Sequence, residues 1–257
     1  MLRLTREVRF TLPLSGDAFD SDPINGFVGN LTDAPGLYCA LLVTLAGELH
    51  PASNYIENIK VIDDVARSQA AVAMLQLLRS GNWTLCRATT VAAECCANRW
   101  REAFHCVSLS TNPHLSCAFY PRENPMTQLT QRFDFSAAHR LHNDALDEAA
   151  NRELFGKCNN PEGHGHNYQL DVTLAGEVDQ DGTLISLDLF TRTVQHIVID
   201  RFDHKHLNVQ TEEFKTLIPT VENIAKVFYT LLENEFDGKL HSVRVWETEK
   251  TSAEYGR

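Results

Sequence analysis

The chain has 257 residues, of which 43% are hydrophobic, which is enough apolar sequence for one large domain or two of ordinary size. The formal net charge of −11 excludes the basic surface of a nucleic-acid-binding protein, and no apolar run approaches the length of a membrane span. The seven cysteines are an odd number, and the first residues interleave charged and apolar side chains, unlike a signal peptide. We therefore expect reduced thiols and a cytoplasmic protein.

The sequence VTLAGE occurs twice, at residues 43–48 and 172–177. The sequences around the two copies are alike in pattern, and the apolar stretches at 104–109 and 240–245 are also similar. This predicts two copies of one folding unit, covering residues 1–122 and 126–257 and joined by a polar, proline-bounded linker at 121–125.

In the first copy, the longest predicted helical stretch covers residues 56–80 and ends at Gly81. Cys95 and Cys96 are interpreted as small, buried helix residues. When the second copy is aligned on the first, its paired histidines fall on Pro35 and Leu37. We therefore expect the first copy to lack catalytic residues and to bind no metal.

In the second copy, strands are predicted at about 128–137 and 165–177, followed by a short extended stretch at 183–187 and a helix at about 189–202. Thr220 is a suitable N-cap for a second helix, and the last strand covers 241–246. The apolar side chains of that second helix recur on one face: Val221, Ile224, Val227, Phe228, Leu231 and Leu232. Paired strands with two helices on one face predict an α+β unit.

The candidate metal ligands are three histidines. His164 and His166 lie two apart in a predicted strand, so both side chains point to the same face. His139, at the end of another predicted strand, is the best third ligand. Three histidines with an open fourth position are the ligand set of a catalytic zinc.

Two further groups could perform proton chemistry. Cys158 lies six residues before His164, and its thiolate could act as a base or nucleophile. Alternatively, Cys158 is a fourth zinc ligand in a closed structural site. The adjacent Asp203 and His204 could form a proton relay, or could simply belong to a polar surface turn.

Glu247, near the end of the last predicted strand, could accept two N–H donors from a heterocycle, or could be an exposed strand-end acid. Thr220 and Glu222 are first of all helix-start residues, and ligand contact is the secondary interpretation. The remaining histidines of this half are interpreted as ordinary polar residues: His142, His196, His206 and His241.

Five motifs of the second half occur in the same order in one enzyme family. The motifs are FSAAH, KCNNPEGHGHNY, FDHKHLN, PTVENIA and VWET, beginning at residues 135, 157, 202, 219 and 245. With them, residues 128–257 resemble the 6-pyruvoyl-tetrahydropterin synthase family, which includes the 6-carboxy-tetrahydropterin synthases of queuosine biosynthesis. The resemblance implies tandem tunnelling-fold (T-fold) domains. Each would be a four-stranded antiparallel sheet with two helices on one face, and the sheets would join between subunits into a barrel.

The resemblance also implies roles for the candidate residues. Zinc would be held by the three histidines, and Cys158 would be the proton-abstracting base, with Asp203 and His204 as a relay contributed across a subunit contact. Glu247 would anchor the pterin ring, helped by Thr220 and Glu222. The substrate would be 7,8-dihydroneopterin triphosphate, from which triphosphate is eliminated. The candidate cations for the triphosphate are Lys157, Lys205 and Arg140.

Two alternatives remain beside the pyruvoyl product. One is a 6-carboxy-tetrahydropterin synthase, although the five residues between Cys158 and His164 favour the pyruvoyl enzymes. The other is a pterin-binding protein without catalytic activity. Because the first copy is fused to the catalytic one, we expect a homo-oligomer that is either a trimer of tandem chains or a ring of two chains.

Overall fold

The structure, a computed structural model, describes residues 1–14, 35–121 and 126–256. Residues 122–125 of the predicted linker lie outside the described residues. The chain divides into two compact units. The first comprises Met1–Leu129 and Ala175–Leu184, and the second comprises Thr130–Leu174 and Ile185–Arg257.

The first unit contains an antiparallel sheet with the strand order β1-β2-β3-β4. The strands are β1 (Leu2–Pro13), β2 (Gly36–Gly47), β3 (Phe104–Asn112) and β4 (Leu115–Tyr120). Helices α1 (Ile59–Asp64) and α2 (Ala71–Arg79) are joined by a π-helical turn at Val65–Ala70, and α3 covers Leu85–Trp100. The predicted helical stretch at 56–80 is confirmed and begins after the N-cap Asn58.

The second unit has the strand order β5-β6-β8-β9, with a short β7 parallel to β5. The strands are β5 (Met126–His139), β6 (His164–Gly176), β7 (Lys205–His206), β8 (Leu240–Thr248) and β9 (Thr251–Gly256). The helices are α4 (Glu148–Phe155), α5 (Leu187–Val194), α6 (Asp200–Phe202), α7 (Leu207–Gln210) and α8 (Val221–Leu232). A π-helical turn at Gln195–Ile199 joins α5 to α6.

The two units share details of their strand pairing. The β2–β3 register shifts after Thr44, and the β6–β8 register shifts at the corresponding place, after Thr173. Both threonines are also hydrogen-bonded, at 2.9 Å between hydroxyl oxygens, to a threonine of the preceding strand, Thr5 or Thr130. The six-residue repeat therefore occupies the same place in the sheet of each unit.

The core of the second unit lies between its sheet and its helices. Phe135 of β5 stacks on Tyr168 of β6 with 4.9 Å between ring centroids, and Phe228 of α8 meets Phe135 edge-on. Both Tyr168 and Phe228 are fully buried. This aromatic packing holds the ends of β5 and β6 against α8, where the candidate site residues lie.

The prediction of an extended stretch at 183–187 is wrong. Residues 183–186 form no strand, and α5 already begins at Leu187. The reason is a turn in which the carboxylate of Asp179 accepts hydrogen bonds from both the amide and the hydroxyl of Thr183 at 2.8 Å. The predicted α+β class with antiparallel sheets is confirmed. Among the described helices, none combines the length and the apolar character needed to cross a membrane.

Candidate active site

Three histidine side chains meet where β5 ends and β6 begins. His139 is the last residue of β5, and His164 and His166 are alternate residues at the start of β6. One ligand atom from each histidine lies within 4.8 Å of the other two, and the Nε2 atoms of His139 and His164 are 3.0 Å apart. The structure thus brings together the three residues that the sequence predicts as ligands.

The ring of His139 is oriented by the start of α8. Its Nδ1 lies 2.7 Å from the carbonyl oxygen of Pro219, which can only accept a hydrogen bond, so Nδ1 carries the proton and Nε2 has a free lone pair. His139 is fully buried, and this burial is the main reason why its pKa falls to about 4. The imidazole is therefore neutral at pH 7, as a metal ligand must be.

The arrangement of nitrogen atoms fits a bound cation. The Nε2 of His166 is buried and has no hydrogen-bond partner within the described ranges. Leaving a buried polar atom unpaired costs about 1–3 kcal/mol. A tetrahedral zinc ion would hold its nitrogen ligands about 3.3 Å apart, close to the observed Nε2–Nε2 distance. Three neutral imidazoles are also a ligand set that zinc prefers.

Gly163 brings the chain into β6 immediately before the ligands. Its φ of +73° is in the left-handed region, and a Cβ there would lie 2.6 Å from Nε2 of His206 and 2.9 Å from the carbonyl oxygen of His139. Any larger residue would therefore push against the end of β5, which carries His139, and would displace the backbone that leads to His164 at the start of β6. This position requires glycine for both conformation and space.

Glu247 lies beside the histidines. Its Oε1 is 3.4 Å from Nε2 of His139 and 3.7 Å from Nε2 of His166.

Tyr168 is fully buried, and its hydroxyl has no partner among the described residues. Burial, followed by the nearby charges of Glu247 and Cys158, raises the pKa of Tyr168 above its usual range. The phenol therefore remains a hydrogen-bond donor at neutral pH.

Cys158 is half-buried in the 3₁₀ turn Gly156–Asn159, which we call the cysteine turn and which lies just before the loop that leads to β6. Its carbonyl oxygen accepts a hydrogen bond from the amide of Leu141 at 2.9 Å. In the described part of the chain, the group of mutually close ligand atoms contains the three histidines and no cysteine. This favours an open fourth metal position over a closed structural site.

Asp203 and His204 form a hydrogen-bonded pair. Oδ2 of Asp203 is 2.7 Å from Nδ1 of His204, and Oδ1 accepts the amide of Ser136 at 2.8 Å. The Ser136 bond is the largest cause of the lowered pKa of Asp203, so the carboxylate is charged and holds the histidine ring. The His204 side chain is 82% exposed, which suits a group that exchanges protons.

Thr220 and Glu222 occupy the helix-start positions predicted for them. The hydroxyl of Thr220 accepts the amide of Asn223 at 3.4 Å and caps α8, and Glu222 is exposed in the first turn. Because Thr220 directly follows Pro219, the cap adjoins the carbonyl that orients His139.

A cleft of about 500 Å³ is lined by one candidate ligand, His166, and by His204 of the hydrogen-bonded Asp203–His204 pair. Among its lining residues are Gly165, His166, Asn167, His204, Lys205 and His206. Of the three candidate cations for a triphosphate, Lys205 lines this cleft, whereas Nε of Arg140 donates to the carbonyl of Asn159 and Lys157 is exposed in the cysteine turn.

Comparison with known proteins agrees with this arrangement. Residues 128–257 match the model of the family described as 6-pyruvoyl tetrahydropterin synthase. The chain belongs to this family. The human 6-pyruvoyl tetrahydrobiopterin synthase is 37% identical over 130 residues, which cover 50% of this chain and 90% of the relative. A 6-carboxy-5,6,7,8-tetrahydropterin synthase of Haemophilus influenzae is 27% identical over 151 residues, covering 51% of this chain and 99% of the relative.

Solved structures show the same fold. The 6-pyruvoyl tetrahydropterin synthase of Caenorhabditis elegans is 38% identical, with a TM-score of 0.50, and covers 52% of this chain and 96% of that chain. A hyper-thermostable uricase mutant is 7% identical, with a TM-score of 0.54, and covers 100% of this chain and 92% of that chain. The latter likeness concerns the fold alone, and it extends over both units.

Two residues of the candidate site have no role in the sequence-based prediction. His206 is treated above as an ordinary polar residue, yet it lines the cleft, and its buried Nδ1 has no partner among the described residues. Tyr168 lies two residues after His166 on the same face of β6, with 5.5 Å between their ring centroids. The alternation His164, His166, Tyr168 is the signal that could have found the tyrosine.

Proposed function

We propose that the chain is a zinc-dependent lyase that acts on 7,8-dihydroneopterin triphosphate, eliminating triphosphate to form 6-pyruvoyl-tetrahydropterin. The observation that carries the proposal is the three-histidine group beside Glu247, in a family whose curated members include 6-pyruvoyl tetrahydrobiopterin synthases. The match to the human 6-pyruvoyl relative is 37% identical over 130 residues, whereas the 37% identical match to a putative 6-carboxy-tetrahydropterin synthase of Archaeoglobus fulgidus covers 95 residues, and the longer match favours the pyruvoyl product.

His139, His164 and His166 would hold the zinc ion. Bound there, zinc supplies a Lewis acid that polarises the oxygens of the substrate side chain and acidifies the neighbouring C–H bond. The Pro219 carbonyl keeps Nε2 of His139 available as a ligand.

In this proposal Cys158 takes the proton from the acidified carbon as a thiolate base. The pair Asp203–His204, contributed across a subunit contact, would return a proton to the adjacent carbon, and elimination of triphosphate with its C–O electron pair is balanced by the loss of one further proton from the side chain. The 2.7 Å bond to Asp203 fixes the orientation of the His204 ring.

Glu247 would anchor the pterin ring through two N–H donors, with Thr220 and Glu222 nearby at the start of α8. Because Glu247 lies within 4 Å of two ligand histidines, a ring held there would have its side chain beside the metal. Lys205, in the cleft, is the best-placed cation for the triphosphate.

We further propose that the chain is a tandem T-fold protein whose first copy, residues 1–122, is catalytically silent. The matching register shifts, the matching threonine pairs and the whole-chain likeness to a uricase structure support this arrangement. Threonine caps also open α3 and α8 in the same way, through Thr84 and Thr220.

The decisive experiment is incubation of zinc-loaded protein with 7,8-dihydroneopterin triphosphate, followed by measurement of released triphosphate and by mass spectrometry of the pterin product. We expect release by the wild type and a loss of about 10²–10⁴-fold in Cys158→Ala, with zinc retained. Cys95→Ala, which changes a half-buried cysteine of α3, serves as the matched control and should leave the rate unchanged.

Three other outcomes would change the proposal. Bound pterin without triphosphate release by the wild type would indicate a binding protein. A 6-carboxy product would assign the chain to the other branch of the family. Zinc lost together with activity in Cys158→Ala would indicate that the cysteine is a ligand.

A further inference from the structure

The two residues that follow the ligand His139 have unusually complete main-chain bonding. Both main-chain groups of Arg140 are bound by one side chain, and both main-chain groups of Leu141 are bound by two consecutive residues of the cysteine turn. Neither residue belongs to a helix or strand, so these bonds replace those that secondary structure would supply.

Arg140 is held by the amide of Asn208. The Arg140 N–H donates to Oδ1 at 2.8 Å, and Nδ2 donates to the Arg140 carbonyl at 3.0 Å. Strand β7 pairs with β5 through Ala138 and His206, so the Asn208 side chain continues this pairing beyond the last strand residue. Asn208 thereby joins the segment that follows β7 to the chain immediately after His139.

Leu141 is held by the cysteine turn. Its N–H donates to the carbonyl of Cys158 at 2.9 Å, and its carbonyl accepts from Nδ2 of Asn159 at 2.8 Å. The same Nδ2 lies 2.9 Å from Nδ1 of His142, and the Asn159 carbonyl accepts from Arg140 at 3.2 Å. Asn159 is only 6% exposed, so these bonds are protected from competing water.

We infer that Asn159 is a positioning residue that fixes Cys158 relative to the metal ligand His139, and that Asn208 supports it by holding the main chain of Arg140. The connection runs through the main chain of Arg140 and Leu141. This inference rests on the proposed function for the role of the base. The Asn208 carboxamide donates and accepts at once, and Nδ2 of Asn159 donates to the Leu141 carbonyl; an aspartate or an apolar residue of similar size lacks these donors.

The consequence for catalysis is geometric. A base displaced by about 1 Å from its productive position can cost 10²-fold in rate, even when binding is unchanged. Removing the Asn159 amide leaves the cysteine turn with two bonds to the chain after His139, from the Leu141 N–H and from Nε of Arg140, so Cys158 is held less firmly relative to the ligand His139.

The test uses Asn159→Asp and Asn159→Ala in the full chain. Aspartate has the same shape but no donor, so both variants lose the bond to Leu141. We expect kcat to fall about 10-fold or more while KM changes little and the zinc content stays at the wild-type value. The matched control is Asn151→Ala, since the fully buried Asn151 binds main-chain groups of residues 143, 146 and 147 in the same way, and none of these bonds goes to residues 156–159. It should lower stability and leave kcat unchanged per folded molecule.

Asn208→Asp keeps the acceptor for Arg140 and loses the donor, so its kcat should lie between those of the wild type and Asn208→Ala. An Asn159→Asp protein with wild-type kcat, or equal losses of kcat in Asn151→Ala and Asn159→Ala, would overturn the inference. If Asn159→Ala does not fold, the kcat values of Asn159→Asp, Asn208→Asp and Asn208→Ala decide whether the inference holds.

A second readout is independent of turnover. The rate at which iodoacetamide alkylates Cys158, followed by peptide mass mapping, should rise severalfold in Asn159→Asp and stay unchanged in Asn151→Ala, because only the former releases the half-buried thiol. If the wild type releases no triphosphate but this difference is found, the proposed function fails while the positioning role stands. Equal alkylation rates in both variants and the wild type would refute the positioning role.

Discussion

His139 contacts three parts of the site. Its ring Nδ1 donates to the carbonyl of Pro219 just before α8, and its Nε2 lies 3.0 Å from Nε2 of His164. Its main-chain carbonyl lies close to Gly163. Burial keeps the ring neutral and lowers its pKa to about 4. A side chain under these constraints is in the neutral form that a metal ligand needs, and it resists protonation in mild acid.

This burial predicts a pH dependence of the metal-free protein. Between its ordinary pKa of about 6.5 and the folded value of about 4, His139 binds a proton in the unfolded chain but not in the folded one. Stability is therefore fully present above pH 6.5 and falls as the pH decreases towards 4, where the effect levels off, by an amount on the order of 3 kcal/mol.

The measurement compares urea unfolding of metal-free wild type and His139→Gln at pH 7 and pH 4.5. Carboxylates titrate in both proteins, so the difference between the two isolates the histidine. We expect the stability of the wild type relative to the variant to decline at the lower pH. An equal loss in both proteins would show that His139 is not held neutral by the fold.

At the scale of elements, the backbone conformation at the start of β6 determines where two of the candidate ligands lie. The tight approach of Gly163 to the carbonyl of His139 allows two strand ends to bring three imidazoles together. Gly238 has a similar φ of +75°, but a Cβ added there would meet no atom within 4 Å. An alanine at Gly238 would therefore suffer only backbone strain, whereas an alanine at Gly163 would suffer both backbone strain and steric clash.

We predict that Gly163→Ala weakens zinc binding, whereas Gly238→Ala does not. Both variants place a Cβ in the left-handed region, at a cost of about 1–2 kcal/mol each. Only Gly163→Ala also pushes against His139 and His206, so its loss of stability should be the larger. Zinc titration with a competing chelator and thermal unfolding measure the two effects, and equal zinc affinities would contradict this account of the glycine.

The elements also show why sequence predicted some of the site and missed the rest. Strand alternation is local, so the spacing of His164 and His166 was sufficient to place both on one face. The bonds of Asn208 and Asn159 to residues 140 and 141 join positions 68 and 18 apart, and no periodicity encodes them. The failed extended stretch at 183–187 had an apolar pattern, but a side-chain turn from Asp179 determined its conformation.

At the scale of the whole molecule, the two units are similar in fold and unequal in chemistry. Each has four antiparallel strands in the same order of pairing, with a π-helical turn in the helical layer. Among the described residues, the one group of close metal-ligating side chains lies in the second unit. A sheet with two free edges exposes unpaired main-chain groups, and joining sheets between subunits satisfies them. The silent unit therefore has an architectural task in our proposal, since it supplies sheet without supplying a site.

The last prediction follows from that inequality. We expect the full chain to bind one zinc ion per chain and to assemble as three chains, or as two, so that an assembly contains half as many metals as folded units. His166→Ala should bind no zinc and keep the same assembly, because the strand pairing around it uses main-chain atoms. His196→Ala, which changes an 84% exposed histidine on the π-helical turn, is the control and should keep both properties. Native mass spectrometry gives the number of chains and of metals in one measurement. Two zinc ions per chain would place a second centre in the first unit, and a stable monomer with full activity would remove the architectural role proposed for it.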